Sequence, residues 1–344
     1  MKKVMGMDLG DKQHVVVVFE PDGREQPAVR VTNTADQIRG LFSRHSGAVV
    51  VMEAGTHSGW ISRLLESMGH EVHVGNPRKL RAIWDADDKS DERDARVLGL
   101  IYRMEPRLLH RIHHRGEQAQ LDLEKIKARD ALVRTRTALV NDVRGAVKST
   151  GNRVPTCSAS SFAKRARETM PEMLRDALEP VIAVIEMVSA QIRLLDRAIE
   201  DLCEKKYPET KYLMTVTGVG AITSLAYVLT LEDSGRFKKS RDVGPYLGLV
   251  PRRDQSGARD KQLRITKAGD TYVRKLLVGS AQYIMGPFGP DTDLRCYGQQ
   301  LAARGGKNAK KRAIVAVARK LAVLLHRLWS DQSTYVPLRQ SEAA

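Results

Sequence analysis

Over the first hundred residues, short β-branched runs alternate with helical spacings. Val4–Asp8, His14–Glu20, Ala28–Val31, Ala48–Glu53 and Glu71–Val74 have the length and composition of strands. Ala35–Ser46 and Trp60–Gly69 instead set apolar residues three and four apart, as on helices. The first two strands join near Gly10-Asp11-Lys12 and the later ones alternate with helices, which predicts a mixed α/β sheet with helices on its faces. A helix over Asp91–Tyr102 completes the unit.

The middle of the chain has a different period. From Glu117 to Ser149, Leu123, Ile126, Leu132, Leu139, Val143 and Val147 fall three to seven apart among charges, predicting one long amphipathic helix. Gly151, Pro155 and Pro171 interrupt it, and Pro180 is read as the first position of a second helix. Val181, Ile185, Val188, Ile192, Leu195, Ile199 and Leu202 then step by alternating fours and threes, an a/d heptad seam. Such a seam packs either on the preceding long helix or on another chain. Pro208 closes it. The region from about 209 to 335 is expected to be mostly helical with Gly-rich turns, and Thr215–Gly220 followed by an apolar helix looks like half of a helix-hairpin-helix, which offers backbone N–H groups to phosphate. The expected division is 1–110, 111–207 and 208–340, with a loose tail at Ser341–Ala344.

A content of 42% hydrophobic and 28% charged residues in 344 excludes a disordered or fibrous chain. Three scattered cysteines, Cys157, Cys203 and Cys296, make neither a disulfide framework nor a zinc cluster, and so point to a reducing cytoplasm. No apolar run approaches a membrane span, since Ala313–Leu325 is broken by Arg319 and Lys320. Charge is the unusual quantity: 57 Lys+Arg against 41 Asp+Glu leaves +16. Residues 1–110 are balanced at 16 of each sign, whereas 236–275 and 304–327 each carry +8 and together equal the whole excess. Two acid-poor runs in one region favour a nucleic-acid backbone as partner, with Arg252, Arg253, Lys267, Lys310, Lys311 and Arg312 at their densest points. Aromatics at 5% argue against binding by base stacking and for duplex DNA.

The balanced region carries carboxylates in a pattern. Asp8 ends the first strand and Glu53 the fourth, so both lie at one edge of the sheet, and Asp91 and Asp94 share a face of the following helix. Gathered carboxylates repel one another unless cations neutralise them. Mg²⁺ suits such a set, and paired ions stabilise the attacking and leaving oxygens of a phosphodiester displacement. Taken singly, Asp91 also reads as a helix N-cap, Asp94 as a partner of Arg93 or Arg96, and Asp8 as a turn acid. Asp85, Asp87 and Asp88 rank lower because they precede the helix, in an expected loop. Ser256, on an expected flexible loop beside Arg252 and Arg253, either contacts a phosphate or attacks one. No Ser-His-Asp arrangement accompanies it: His326 lies on a distant helix, and the other histidines, His110, His113 and His114 among them, are read as surface residues.

Strand-end Asp8 and Glu53, the block Lys89-Ser90-Asp91-Glu92-Arg93-Asp94-Ala95-Arg96, Gly218-Val219-Gly220, Gly248-Leu249-Val250-Pro251-Arg252-Arg253, Ser256-Gly257 and Thr266-Lys267-Ala268-Gly269-Asp270 together resemble the DEDD transposases of insertion sequences. This is the family numbered one hundred and ten, which includes pilin-gene invertases and bridge-RNA-guided recombinases. The resemblance implies a RuvC-like (ribonuclease-H type) N-terminal domain, an α-helical coiled-coil linker and a mostly α-helical C-terminal transposase domain. It implies that Asp8, Glu53, Asp91 and Asp94 bind Mg²⁺ and that Ser256 is a nucleophile forming a covalent link to DNA. It further implies donor and target double-stranded DNA, a structured guide RNA, and homodimers pairing into tetramers through the heptad seam. The alternatives are a RuvC-type nuclease in which Ser256 only touches phosphate, and a non-catalytic nucleic-acid-binding protein.

Overall fold

The computed structural model describes residues 2–83, 90–257 and 259–338, so Asp85, Asp87, Asp88, Lys89 and the tail from Ser341 lie outside the described residues. The chain divides into two units, Met1–Arg115 and Gly116–Ala344.

In the first unit β1 (Val4–Leu9), β2 (Gln13–Phe19), β3 (Val29–Thr32), β4 (Val49–Glu53) and β5 (Glu71–Gly75) form one sheet in the order β3-β2-β1-β4-β5. Neighbours β1, β2 and β3 are antiparallel, while β4 runs parallel to both β1 and β5. Side chains alternate across the sheet. Met5, Met7, Val16, Val18, Val50 and Met52 pack under α1 (Ala35–Phe42) and α2 (Ser58–Ser67) through Ile38, Phe42, Ile61 and Leu65. Val4, Val15, Val17, Phe19, Val49 and Val51 face the other way, with α3 (Pro77–Ile83) and α4 (Asp91–Met104) supplying Leu80, Ala95, Leu98 and Ile101. The five strands and α1, α2 and α4 thus follow the pattern read from the sequence to within a few residues, while α3 was not expected.

The second unit begins with α5 (Glu117–Ser149), α6 (Phe162–Thr169) and α7 (Glu172–Lys205). α7 starts eight residues before Pro180 and continues through it, so Pro180 is interior and not the first helical position. Pro180 is solvent-exposed, which leaves the carbonyl it cannot bond within reach of water. The heptad seam packs against α5 of the same chain. Ile182 and Ile185 join Val143 and Val147 at one end, and Ile199 and Cys203 join Leu123 and Ile126 at the other. Of the two partners open to the seam, the structure supplies the chain's own helix, which corrects the expectation that this stripe joins two chains. Asp122, 2% exposed on α5, accepts hydrogen bonds from Lys206 Nζ, Tyr207 Oη, Gln118 Nε2 and Lys125 Nζ. Burial alone would raise its pKa, but these donors outweigh it and hold the carboxyl at about 2.

Then follow α8 (Thr210–Met214), α9 (Ala221–Leu231), the short α10 (Val243–Tyr246), the antiparallel pair β6 (Pro251–Ser256) and β7 (Arg259–Ile265), α11 (Thr271–Ile284), α12 (Asp293–Ala303) and α13 (Ala309–Ser330). α9 is buried from Thr223 to Leu231, and Tyr227 at its centre donates to the Ala322 carbonyl of α13 at 2.6 Å. The region is mostly helical, as expected, and the two-stranded hairpin is a feature that the sequence reading did not place. No helix among the described residues is long and apolar enough to cross a membrane.

Candidate active site

The pleat decides which face the carboxylates take. With Val4 and Val49 turned toward α4, Gly6 and Asp8 on β1 and Val51 and Glu53 on β4 share that face. In the parallel register Val4 stands opposite Val49 and Met7 opposite Met52, so Asp8 and Glu53 follow one position beyond the last rung. Helix α4 reaches them because two glycines let it approach. A Cβ on Gly6 would stand 1.9 Å from the Ala95 carbonyl oxygen, and one on Gly99 would stand 2.5 Å from the Phe19 ring. The first turn of α4 therefore lies over the end of β1, with Asp91 and Asp94 in that turn. Ser90, and not Asp91, caps the helix, its Oγ accepting the Arg93 N–H. Asp91 is thereby released from the capping role open to it in the sequence.

These carboxylates feel one another. Burial, followed by the charges of Asp94, Asp91 and Glu53, pushes Asp8 up to about 6. Glu53 and Asp91 are exposed and Asp94 half-buried, so the cluster opens to solvent on one side. Hard oxygen donors that repel one another suit a hydrated divalent cation. Among the described residues, however, no three His, Cys, Asp or Glu side chains close into a preformed metal cage. On the opposite sheet face His14 and His70 are buried, correcting their reading as surface residues. Burial lowers the pKa of His14, whose Nε2 lies 2.9 Å from Asn33 Oδ1. His326 is buried too, between Ser240 Oγ and the Ser234 carbonyl.

In the second unit, Ser256 is the last residue of β6, paired with Arg259 across the turn that Gly257 enters with φ +54°. It is exposed at the end of an ordered strand, which corrects the flexible loop expected from its glycine neighbour. β6 buries almost nothing: Arg252, Arg253, Asp254, Gln255 and Ser256 are all exposed, and Arg253 pairs with Asp260 across the ladder. A lone hairpin is marginal in water, so its order must come from its base. There the two sequence segments flanking the hairpin interlock. Gly248 has φ +69° and no room for a Cβ, which would lie 2.3 Å from the Ala268 backbone; Gly269, at φ +67°, would clash at 2.1 Å with the Tyr246 carbonyl. Thr266 N–H donates to Val250 and Lys267 N–H to Gly248. Arg274, 8% exposed, donates from Nη1 to the carbonyls of Leu247 (3.0 Å) and Ala268 (2.7 Å), tying both legs together. Asp270 caps α11 through the Tyr272 and Val273 N–H groups. Arg274 was missed in the sequence, where it read as one more basic residue.

Lys267, with φ +55°, is exposed at the foot of β7, and Lys310, Lys311 and Arg312 are exposed on the first turn of α13. Basic side chains there oppose the helix dipole, so their placement is not explained by helix stability. An anion at that helix end would relieve it.

Two family models match the chain in sequence order. One, for a transposase of the DEDD type in the IS110 group, covers residues 5–152; the other, described as the transposase IS116/IS110/IS902 family, covers residues 210–293. The first span includes all four carboxylates and the second includes the hairpin. Relatives match along nearly the full length. A probable family 20 transposase of Pseudomonas aeruginosa is 27% identical over 97% of this chain and 98% of its own, and the transposase for insertion sequence element IS1111A of Coxiella burnetii is 28% identical over 97% and 91%. A pilin gene-inverting protein of Moraxella lacunata is 29% identical over 34% of this chain and 37% of its own. With both matched spans lying over the two sites described above, the chain belongs to the IS110 family of transposases, enzymes that recombine DNA.

Proposed function

We propose that this transposase cuts and exchanges DNA strands with two sets of groups: a Mg²⁺-dependent carboxylate cluster of Asp8, Glu53, Asp91 and Asp94, and Ser256 as a nucleophile. The observation that carries the reading is the gathering of four carboxylates, Asp8 and Glu53 at neighbouring strand ends and Asp91 and Asp94 in the first turn of the helix packed against them, where burial and the other three charges push Asp8 up. Excess negative charge without a neutralising cation is what a site for Mg²⁺ requires when free of it. The strand order, with three antiparallel strands continued by two parallel ones, supports a RuvC-like, ribonuclease-H type domain. The domain division proposed is 1–110, 111–207 and 208–340.

When bound, Mg²⁺ supplies positive charge to the phosphate oxygens on which charge develops. The chain's own residues do the rest. Ser256 Oγ attacks the phosphorus, its proton passes to a base, a serine–phosphodiester bond forms and one DNA oxygen leaves with the electron pair. A hydroxyl of the second DNA then displaces the serine, so each bond broken is matched by one formed. Arg252, Arg253, Lys267, Lys310, Lys311 and Arg312 hold the phosphate backbones of donor and target. A structured RNA from the element selects the sites, and homodimers pair into tetramers to bring two DNAs together.

The test is Ser256→Ala. Ser256 is exposed and outside the core, so the variant should fold normally, bind DNA, and leave no DNA attached to denatured protein. If it still recombines a donor–target pair, the serine serves only to touch phosphate. Asp8→Ala and Asp91→Ala should each abolish strand exchange, and sequencing of co-purified RNA tests guidance.

A further inference from the structure

Of the five phenylalanines, Phe19, Phe42 and Phe162 are buried and Phe237 packs on the core of the second unit, whereas Phe288 is 84% exposed. One exposed apolar ring is ordinary on a protein surface. What sets Phe288 apart is how firmly the backbone beneath it is held. It tips the turn Gly286-Pro287-Phe288-Gly289-Pro290 between α11 and α12, where the two prolines fix φ on either side of the Phe-Gly pair. Gly289 is packed so closely on the end of α11 that a Cβ would stand 2.3 Å from the Ile284 carbonyl oxygen and 2.7 Å from that of Tyr283. Arg295 of α12, its side chain 16% exposed, donates from Nη1 to the carbonyls of Ile284 (2.9 Å) and Gly286 (2.6 Å). The ring therefore stands on a fixed platform, and little backbone freedom is left to lose when a partner stacks on it.

The charge around the turn indicates that partner. From Tyr283 to Pro290 the turn has no charged residue, yet residues 271–328, which include the turn and α11, α12 and most of α13, have eleven Lys+Arg against two Asp+Glu. α11 and α12 both pack on α13, the helix that carries Lys310, Lys311 and Arg312. Tyr283, 46% exposed, lies against Gly218 of the Gly218-Val219-Gly220 turn: a Cβ on that glycine, at φ +89°, would meet the Tyr283 ring at 2.8 Å. An uncharged aromatic tip on a strongly cationic support fits a nucleobase, whose flat face is apolar and whose neighbours are phosphates. The low aromatic content leaves the grip to the backbone and keeps stacking for one place.

We infer that Phe288 stacks on a base that has left the duplex in DNA held by this unit, and so marks where the bound duplex opens. The inference rests on the proposal that the basic residues hold DNA, and it is independent of Ser256 and of Mg²⁺. The full chain, free of metal, is titrated by fluorescence anisotropy into a fully paired duplex and into the same duplex with a short central mismatch bubble. Wild type should bind the bubbled duplex about five- to a hundredfold more tightly. Phe288→Ala should lose most of that preference while keeping its affinity for the paired duplex, its salt slope and its melting temperature, because the ring is uncharged and outside the core. Phe288→Trp should keep the preference, and Phe288→Leu, apolar but without a π face, should not. Equal affinity of the wild type for the two duplexes overturns the inference, as does full preference in Phe288→Ala or Phe288→Leu. A Phe288→Ala chain that changes its sedimentation and not its preference assigns the ring to a protein contact and overturns it too. Failure of the wild type to bind either duplex instead removes the DNA-holding role of the basic residues, and the inference with it.

Discussion

Gly6 of β1 lies directly against the Ala95 carbonyl of α4, with no space between them for a methyl group. Gly6→Ala should therefore push α4 off the sheet and carry Asp91 and Asp94 away from Asp8. A clash against backbone cannot be relieved by a rotamer change, so a loss of about 1–3 kcal/mol is expected. The Asp8 pKa should fall and strand exchange should be lost, as read by thermal melting and a carboxyl NMR titration. Unchanged stability would mean that the close approach is not required.

Asp8 makes the first unit's stability depend on pH. Its folded pKa of about 6 lies above the ordinary aspartate value of 3.8, so the folded state keeps its proton longer than the unfolded one. Stability is then fully present below pH ~4, falls as pH rises toward 6, and stays lowered above that. Asp8→Asn should stabilise the metal-free protein above pH 6, by on the order of 1–2 kcal/mol after solvent screening, with no gain near pH 4. Added Mg²⁺ should stabilise the wild type at pH 7.5 more than the variant. An equal response of both would remove Asp8 from the cation site.

Arg274 clamps the foot of the hairpin, and its loss leaves the buried carbonyl of Leu247 and the half-buried carbonyl of Ala268 without this donor. Arg274→Met should cost about 2–4 kcal/mol and raise amide exchange in β6 and β7. Lysine should not rescue it, because an ammonium does not reproduce the guanidinium fork. Native exchange rates in Arg274→Lys would count against the clamp.

Replacing Lys310, Lys311 and Arg312 together by glutamine should flatten the salt dependence of DNA binding by about one log-log unit for each phosphate no longer neutralised. The melting temperature should hold or rise, since these residues oppose the dipole of α13 while Ala313, Val317, Leu321 and Leu325 keep its core face. A salt slope equal to wild type would show that the tract does not touch phosphate.

The sheet was legible because each strand buries at least one face and so leaves an alternating or β-branched signature. The carboxylates were legible because they terminate such strands. The hairpin was not: Pro251–Ser256 has no apolar alternation, since neither of its faces meets a core. Pro180 misled for a related reason, as proline favours a helix start but is tolerated on an exposed interior turn. The heptad seam showed that a face of α7 is covered without showing by what, a matter of tertiary placement. Gly6 and Gly99 did carry a readable signal, because glycine inside a strand and inside a helix often marks a close approach.

The buried carboxylate of Asp122 sets a mechanical property of the second unit. It fixes the root of the α5–α7 hairpin, and a one-turn slip of α7 along α5 would strand a charge away from Lys206 and Tyr207. From Asp122 to Ser149 the hairpin extends ~40 Å beyond that anchor. Farther along the arm Arg129 pairs with Asp196, Arg136 donates to Ser189, and Val143 and Val147 pack on Ile182 and Ile185, so the register set at Asp122 is kept along the hairpin. Sliding of one helix along the other would break these contacts together, so the two helices hold to each other as one arm.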